Sequence, residues 1–450
     1  MATPTLTAES WSLGDPGYDS ARSAAIWNKR LDTARSPDKI VRCTSVHDVV
    51  EAVRQAKRDG QKVALRGSGH SYIAAPLRDG GVLLDLGGLD FIEIDAANRT
   101  ARVGPGVRGG DLIAALEPLG LAFPVGHCST VALGGYLLSG GFGWNGGTWG
   151  PACNHVRSVE LVTAAGEVLT ASEDEHAELL WAARGGGCGF FAAVTAYHLD
   201  LQPTPVAAGL WTASFAASSA EILADWLTIA TAAADPAAEI MCMVGRDLHS
   251  GEPTITIRAI AIGDNRADAL SRIASFRCPP ADAQLTAEIK ERPLTFADLP
   301  KLSVMPDGKR VAADHCWSEA PLGDLLLAVV HLAGVASSQS TINLVSPGGR
   351  GQLPAMLDGQ AALSVGGGVA CGTYGMWDDQ ADDALHLRWV RDVDAALAPF
   401  RSGRYIGEAD LTAGPERVAE CFDPAALARL EELHAKWDAD GLFHAWPTVE

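Results

Sequence analysis

Val63-Ala64-Leu65-Arg66-Gly67-Ser68-Gly69-His70-Ser71 begins as a short aliphatic run and breaks into glycine around one histidine. Further along, Val125-Gly126-His127-Cys128-Ser129-Thr130-Val131 leads into Gly134-Gly135 and Gly140-Gly141-Phe142-Gly143, with one cysteine among the glycines. Glycine supplies positive-φ conformations and lets backbone N–H groups come close to a ligand. Successive N–H groups form a concavity suited to a pyrophosphate. A lone glycine fingerprint is weak, because glycine marks ordinary turns equally well. Neither cluster opens a helix as G-x-G-x-x-G, which argues against a Rossmann dinucleotide fold. Two dense clusters, each enclosing a nucleophile, are harder to read as turns alone.

Working outward, the N-terminal 200 residues alternate strand and helix signals. Ser45 with Asp48 in the first turn, and Val46, Val49, Val50 and Val53 on one face, predict a helix that Gly60 ends. Strands are expected at Val63 to Leu65, Val82 to Asp85, Ile92 to Ile94 and Ala101 to Val103, and a helix from Asp111 to Leu119. Ser158 to Thr163 and Glu167 to Thr170 read as a hairpin turning on Ala165-Gly166, followed by a helix from Glu173 to Ala183 and a strand from Ala193 to Leu201. Gln202-Pro203-Thr204-Pro205 interrupts helix and sheet alike and is the expected boundary. Beyond it, Ser218 with Glu221 resembles a capping box. Strands are expected at Ile240 to Val244 and Thr254 to Ile262, with a helix from Arg266. The expected class is α+β, with a second, antiparallel sheet backed by helices.

The chain has 450 residues, 47% hydrophobic and 20% charged, which is a globular composition with room for more than one core. Lysine and arginine number 35 against 55 acids, a net charge of −20. That charge repels nucleic acid and anionic lipid, whose binding needs clustered cations. The start shows no charged-then-apolar leader, and the most apolar run, Leu325 to Ala336, is too short to span a bilayer; a cytoplasmic protein without membrane or nucleic-acid partners is expected. Nine scattered cysteines show no zinc spacing, so no metal is expected, and eight of them read as reduced structural thiols.

With these residues in view, the chain resembles the FAD-linked oxidases of the vanillyl-alcohol-oxidase superfamily, in the berberine-bridge-enzyme-like branch. The resemblance is dense over Pro37 to Leu201 and resumes over Phe422 to Trp446, with Arg429-Leu430, Lys436-Trp437-Asp438 and Leu442-Phe443. It implies a two-part FAD-binding domain, 1–205 completed by 406–450, around a substrate domain at 206–405. It implies FAD bonded to His70 at the 8α-methyl and to Cys128 at C6. Neutral imidazole and thiolate are competent nucleophiles toward an electrophilic ring. By the same match Arg66, Gly67, Ser68, Gly69, Ser71, Pro105, Gly106, Val107, Gly126, Gly134, Gly135, Gly140, Gly141, Gly143 and Val194 surround the cofactor. Trp181-Ala182-Ala183-Arg184-Gly185-Gly186-Gly187 resembles a further family turn, with Gly189 and Asn154 departing from the usual pattern. Val131 stands where the family gates oxygen, and valine there resembles oxidases.

Oxidising an alcohol or hemiacetal requires hydride transfer to flavin and a base for the hydroxyl proton. The resemblance points to the segment Tyr405-Ile406-Gly407-Glu408, with glycine in place of the usual asparagine. Tyr405 is the first catalytic candidate, and Glu408 assists or substitutes; His315 and Asp314 are weaker ones. Trp317 and Trp377 are candidate walls for a small-molecule substrate, which is an alcohol, a sugar or a natural product. The expected activity is an oxidase returning electrons to O2 as H2O2. The alternatives are a dehydrogenase using another acceptor and a flavin-binding protein without turnover.

Overall fold

Ser45 is the N-cap of the helix Val46–Arg58: its hydroxyl accepts the Asp48 N–H at 3.2 Å, and the Asp48 carboxylate accepts the Ser45 N–H at 2.9 Å. This reciprocal box satisfies two donors that a helix start leaves free. Val49, Val50 and Val53 on its inner face pack on Val63, Val82 and Leu84 of the first sheet. The computed structural model describes residues 8–303, 305–335, 337, 339–347 and 359–447. The first sheet runs in the order Ser10–Ser12, Lys39–Arg42, Val82–Asp85, Val63–Arg66, the first pair antiparallel and the others parallel. A second, antiparallel sheet is ordered Ile92–Asp95, Thr100–Val103, Ala193–Asp200, Val156–Val162, Val168–Ala171.

The third sheet has eight antiparallel strands: Lys290–Leu294, Ala207–Ala216, Pro253–Gly263, Glu239–Arg246, Thr341–Ser346, Val369–Trp377, Arg310–Ser318 and Arg401–Gly403. Side chains of a strand alternate between faces. Ile240, Cys242 and Val244, with Ile342 and Leu344, pack in one core with Leu223 and Leu227 of helix Ala220–Ala233, Leu325 and Leu326 of helix Leu322–Val329, and Val390 and Val393 of helix Asp383–Leu397. The intervening residues Met241, Thr341, Asn343, Val345, His315, Trp317 and Tyr374 line a cavity on the opposite face. Sheet pleat alone therefore divides these strands into a structural side and a site side.

The chain end returns to the first sheet. Val63 donates its N–H to Leu442 O at 2.7 Å, and His444 donates back to Val63 O at 3.0 Å. The Asp438 carboxylate fixes this return by accepting the N–H groups of Leu442 and Phe443, both at 2.8 Å.

Two elements differ from the sequence reading. The helix expected from Glu173 starts at Ala177, because the Ser172 hydroxyl accepts the N–H groups of Asp174 and Glu175 and holds a turn there. Ser218 is not a helix cap: the helix begins at Ala220 behind Ser219, whose hydroxyl is taken by the N–H of Gln284 at 2.9 Å. None of the nine cysteines, all among the described residues, forms a disulfide. No helix among the described residues is long and apolar enough to cross a membrane.

Candidate active site

The strand Val63–Arg66 ends in the loop that carries His70. Arg66 closes that loop: its guanidinium donates to Asp85 at 2.7 Å and to the carbonyls of Ala25 and Ala24. Gly69 sits at φ 76°, and a Cβ there would lie 2.1 Å from Ala25 O, so both conformation and space demand glycine. Ser68 joins this loop to the second cluster by accepting the Ala132 N–H at 2.9 Å. Leu133 and Gly134 donate to Val107 O and Pro105 O at 2.8 and 3.0 Å, stitching in a third loop.

These three loops and the exposed face of the eight-stranded sheet enclose a cavity of about 430 Å³. Among the expected cofactor residues, Arg66, Gly67, Ser68, Gly69, His70, Ser71, Pro105, Gly126, Cys128, Val131, Gly134, Gly135 and Val194 line it. Gly106, Val107, Gly140, Gly141 and Gly143 stand behind that wall instead. Gly106 abuts Gly87, Val107 is buried, Gly140 packs on Leu363, and Gly143 lies against Val125 O. Gly141 supports the wall from behind by donating its N–H to the Tyr405 hydroxyl at 3.2 Å.

His70 and Cys128, far apart in the chain, converge on one hydroxyl. Thr130 Oγ1 lies 3.0 Å from His70 Nε2 and 3.2 Å from Cys128 Sγ. The His70 ring stacks on Trp27 with 5.2 Å between centroids. Burial, helped by nearby Arg108, lowers its pKa to about 4, so the imidazole is neutral and its lone pair available at neutral pH. Thr130 belongs to the quoted cysteine segment, but nothing in the sequence tied its hydroxyl to His70.

The candidate base lies across the cavity. Tyr405 is buried, edge-on to Phe142, His315 and Trp317, and burial raises its pKa above the ordinary phenol. Its oxygen already accepts the Gly141 N–H, so it reads as a fixed wall. Glu408 lines the cavity, and its carboxylate accepts the Tyr374 hydroxyl at 2.6 Å. Burial raises the Glu408 pKa, which moves a carboxylate toward the strength of a useful base. Tyr374 in turn meets Tyr72, ring centroids 5.6 Å apart. The sequence pointed to Glu408 but not to its link with Tyr374, because only the pleat of the sheet brings Tyr374 to Glu408.

Three other expectations resolve differently. Asp314 does not face the cavity: Arg391, Arg404 and Arg417 hold its carboxylate at 3.0, 3.2 and 2.9 Å. His315 does line the cavity, with burial lowering its pKa to about 3, so it is a neutral ring. Trp317 lines it too, whereas Trp377 turns into the helix-backed core, stacked on His386 and donating to Asp383. A flat aromatic cofactor with a dinucleotide tail fits these residues. The glycine-walled loops include Gly135, where a Cβ would project into open space, and they carry the two nucleophiles that meet at the Thr130 hydroxyl.

Comparison with known proteins accords with this geometry. A family model described as an FAD binding domain matches residues 37–172. The FAD-linked oxidoreductase janO of Penicillium janthinellum is 28% identical over 439 residues, 94% of this chain and 93% of that one. The (R)-6-hydroxynicotine oxidase of Paenarthrobacter nicotinovorans is 37% identical over 206 residues, 46% of this chain and 44% of that one. Among solved structures, 6-hydroxy-D-nicotine oxidase from Arthrobacter nicotinovorans superposes with a TM-score of 0.84 at 26% identity, covering 100% of this chain and 99% of that one. A berberine-bridge-enzyme-like protein of Physcomitrella patens shares the fold, with a TM-score of 0.83 at 20% identity over 98% of this chain and 97% of that one. With a matching FAD binding domain, a similar FAD-linked oxidoreductase along nearly the whole length and a fold shared with 6-hydroxy-D-nicotine oxidase, the chain is an FAD-dependent oxidoreductase.

Proposed function

We propose that this enzyme oxidises a small organic molecule with an FAD bonded to both His70 and Cys128, and that Glu408 takes the substrate's proton. The observation that carries the reading is the convergence of His70 Nε2 and Cys128 Sγ on the Thr130 hydroxyl. FAD, when bound, supplies the two-electron acceptor for a hydride. The protein's share is positional and acid–base. Residues 1–205 and 406–450 form the cofactor part, and 206–405, which hold the eight-stranded sheet, form the substrate part. Phe142, Trp317 and Tyr405 present aromatic edges that exclude water and orient an apolar or aromatic substrate. Glu408, ionised, accepts a proton from substrate oxygen or nitrogen, and Tyr374 holds the carboxylate in place through its 2.6 Å hydrogen bond. Val131 lines the cavity at the position where the family resemblance places the oxygen gate, and valine there supports an oxidase that releases H2O2.

The substrate class is an alcohol, a hemiacetal or a natural product. The test is anaerobic mixing of the purified holoenzyme with a panel of alcohols, aldoses and hydroxylated N-heterocycles, including (R)-6-hydroxynicotine. One class should bleach the flavin absorbance, and air should then restore it with stoichiometric peroxide. Glu408→Gln should slow that bleaching by about 100-fold or more. Bleaching that air fails to reverse but an added quinone acceptor does reverse would make the enzyme a dehydrogenase, and unchanged bleaching in Glu408→Gln would remove Glu408 from the proton step.

A further inference from the structure

Cys128 lies in a four-residue loop, His127 to Thr130, whose backbone is anchored at both ends. On one side Gly126 bridges Gly143, and on the other Ala132 bridges Arg108. Gly110 donates to Ser129 O at 2.8 Å, and Gly109 to Val131 O at 2.9 Å. His127, immediately before the cysteine, makes the loop's side-chain link to the other half of the molecule. Its Nε2 lies 3.1 Å from both oxygens of Glu239, the first residue of the strand Glu239–Arg246. The imidazole also packs against the buried Trp144, with 4.3 Å between ring centroids.

Glu239 is an unusual residue for its place. It is 5% exposed, and a buried carboxylate needs a partner because the interior does not solvate charge. Burial works against a charged His127, but the Glu239 carboxylate outweighs it and raises the His127 pKa. Glu239 lies on the cavity side of its strand, where Met241 follows two residues on. The surrounding charges are Arg258, whose guanidinium donates to Leu302 O at 3.2 Å, and Glu408 beyond His127. The side chain that faces Glu239 at hydrogen-bond distance is therefore that of the residue joined by a peptide bond to Cys128.

We propose that Glu239 is a positioning residue for the second flavin bond: through His127 it orients the Cys128 loop so that the sulfur meets the ring. The proposal rests on the reading that Cys128 bonds to FAD. In that bond-forming step the thiol gives up its proton and a carbon–sulfur bond replaces the flavin C6–H bond, whose proton also leaves. The two electrons released pass to the flavin and then to dioxygen, which departs as hydrogen peroxide. Thr130 alone would steady the sulfur but would not fix the peptide that carries it. His70 has its own support in Trp27 and does not depend on Glu239.

The test is peptide mapping of the purified holoenzyme after unfolding and alkylation, scoring residues 70 and 128 separately for flavin. In the wild-type chain both peptides should carry it. In Glu239→Gln the residue 70 peptide should keep its flavin while Cys128 becomes alkylated, with about tenfold less flavin on residue 128. His127→Gln should give the same split, and Glu239→Asp, which keeps the charge, should restore much of the attachment. The proposal is overturned if Cys128 stays flavinylated in Glu239→Gln and His127→Gln. Equal loss at both residues would also overturn it, since it would mean a general structural role. Alkylation of Cys128 in the wild-type chain would instead remove the reading on which the proposal rests.

Discussion

At the scale of single residues, two buried titrations decide how the enzyme answers pH. Glu408 has a raised pKa, so its base form appears only above the ordinary carboxyl range. The acidic limb of kcat/KM should therefore climb at a pH above that of a free glutamate, and Glu408→Gln should flatten the limb as well as lower the plateau. A limb unchanged in Glu408→Gln would belong to another group. His315 shifts the other way, from an ordinary 6.5 to about 3 in the folded chain. Between those values the unfolded chain binds the proton and the folded one does not, so stability present above about pH 6.5 is lost as pH falls toward 3. Replacing it by glutamine should reduce the loss between pH 7 and pH 5 by about 2 kcal/mol, read from urea midpoints at the two pH values. Equal losses in the two proteins would contradict a buried neutral ring. Val131→Ile adds a methylene beside the expected oxygen path, so air reoxidation should slow while anaerobic bleaching stays the same.

At the scale of elements, caps and close approaches carry the testable consequences. Ser45→Ala removes the cap of the helix that backs the first sheet and should cost about 1 kcal/mol in urea unfolding. Gly69→Ala sets a Cβ against Ala25 O in a left-handed conformation, so the purified chain should fold yet carry little flavin. A fully yellow Gly69→Ala protein would show that the His70 loop tolerates displacement. These same elements show what sequence can carry. Val82–Asp85 was legible to the residue, because a buried parallel strand is a plain apolar run between turn signals. The hairpin through Ala165-Gly166 was legible because turn residues separate two alternating runs. Ser218 misled because a serine followed by glutamate signals a cap only when no other donor claims the neighbouring hydroxyl, and Gln284, 65 positions away, does. Of the site, His70 and Cys128 were readable from their glycine settings. Tyr374, Thr130 and Glu239 were not, since each gains its meaning from a partner brought near by sheet pleat or loop closure.

At the scale of the whole molecule, the cavity lies between the eight-stranded sheet and the three glycine-bearing loops, so its integrity depends on how the parts are fastened. One fastener is a buried charge cluster in which Asp314 of the eight-stranded sheet meets Arg404 just after its last strand, Arg417 of the C-terminal return and Arg391 of a backing helix. Arg404 also pairs with Asp394 and Glu420. Removing one member of such a cluster leaves uncompensated buried charge. Asp314→Asn should therefore lower the unfolding free energy by about 3 kcal/mol, with a parallel fall in thermal midpoint, while any flavin still bound keeps its covalent links. A stability change below 1 kcal/mol would mean water reaches the cluster. What all of these parts serve, in this account, is one ring joined to two side chains from loops that meet at Thr130. The direct test is the mass of the acid-unfolded holoprotein, measured intact. The account predicts a single species heavier than the polypeptide by one FAD, still one species in either His70→Ala or Cys128→Ala and reduced to the bare polypeptide only when both are replaced. A native holoprotein whose unfolded chain weighs no more than its 450 amino acids would contradict it.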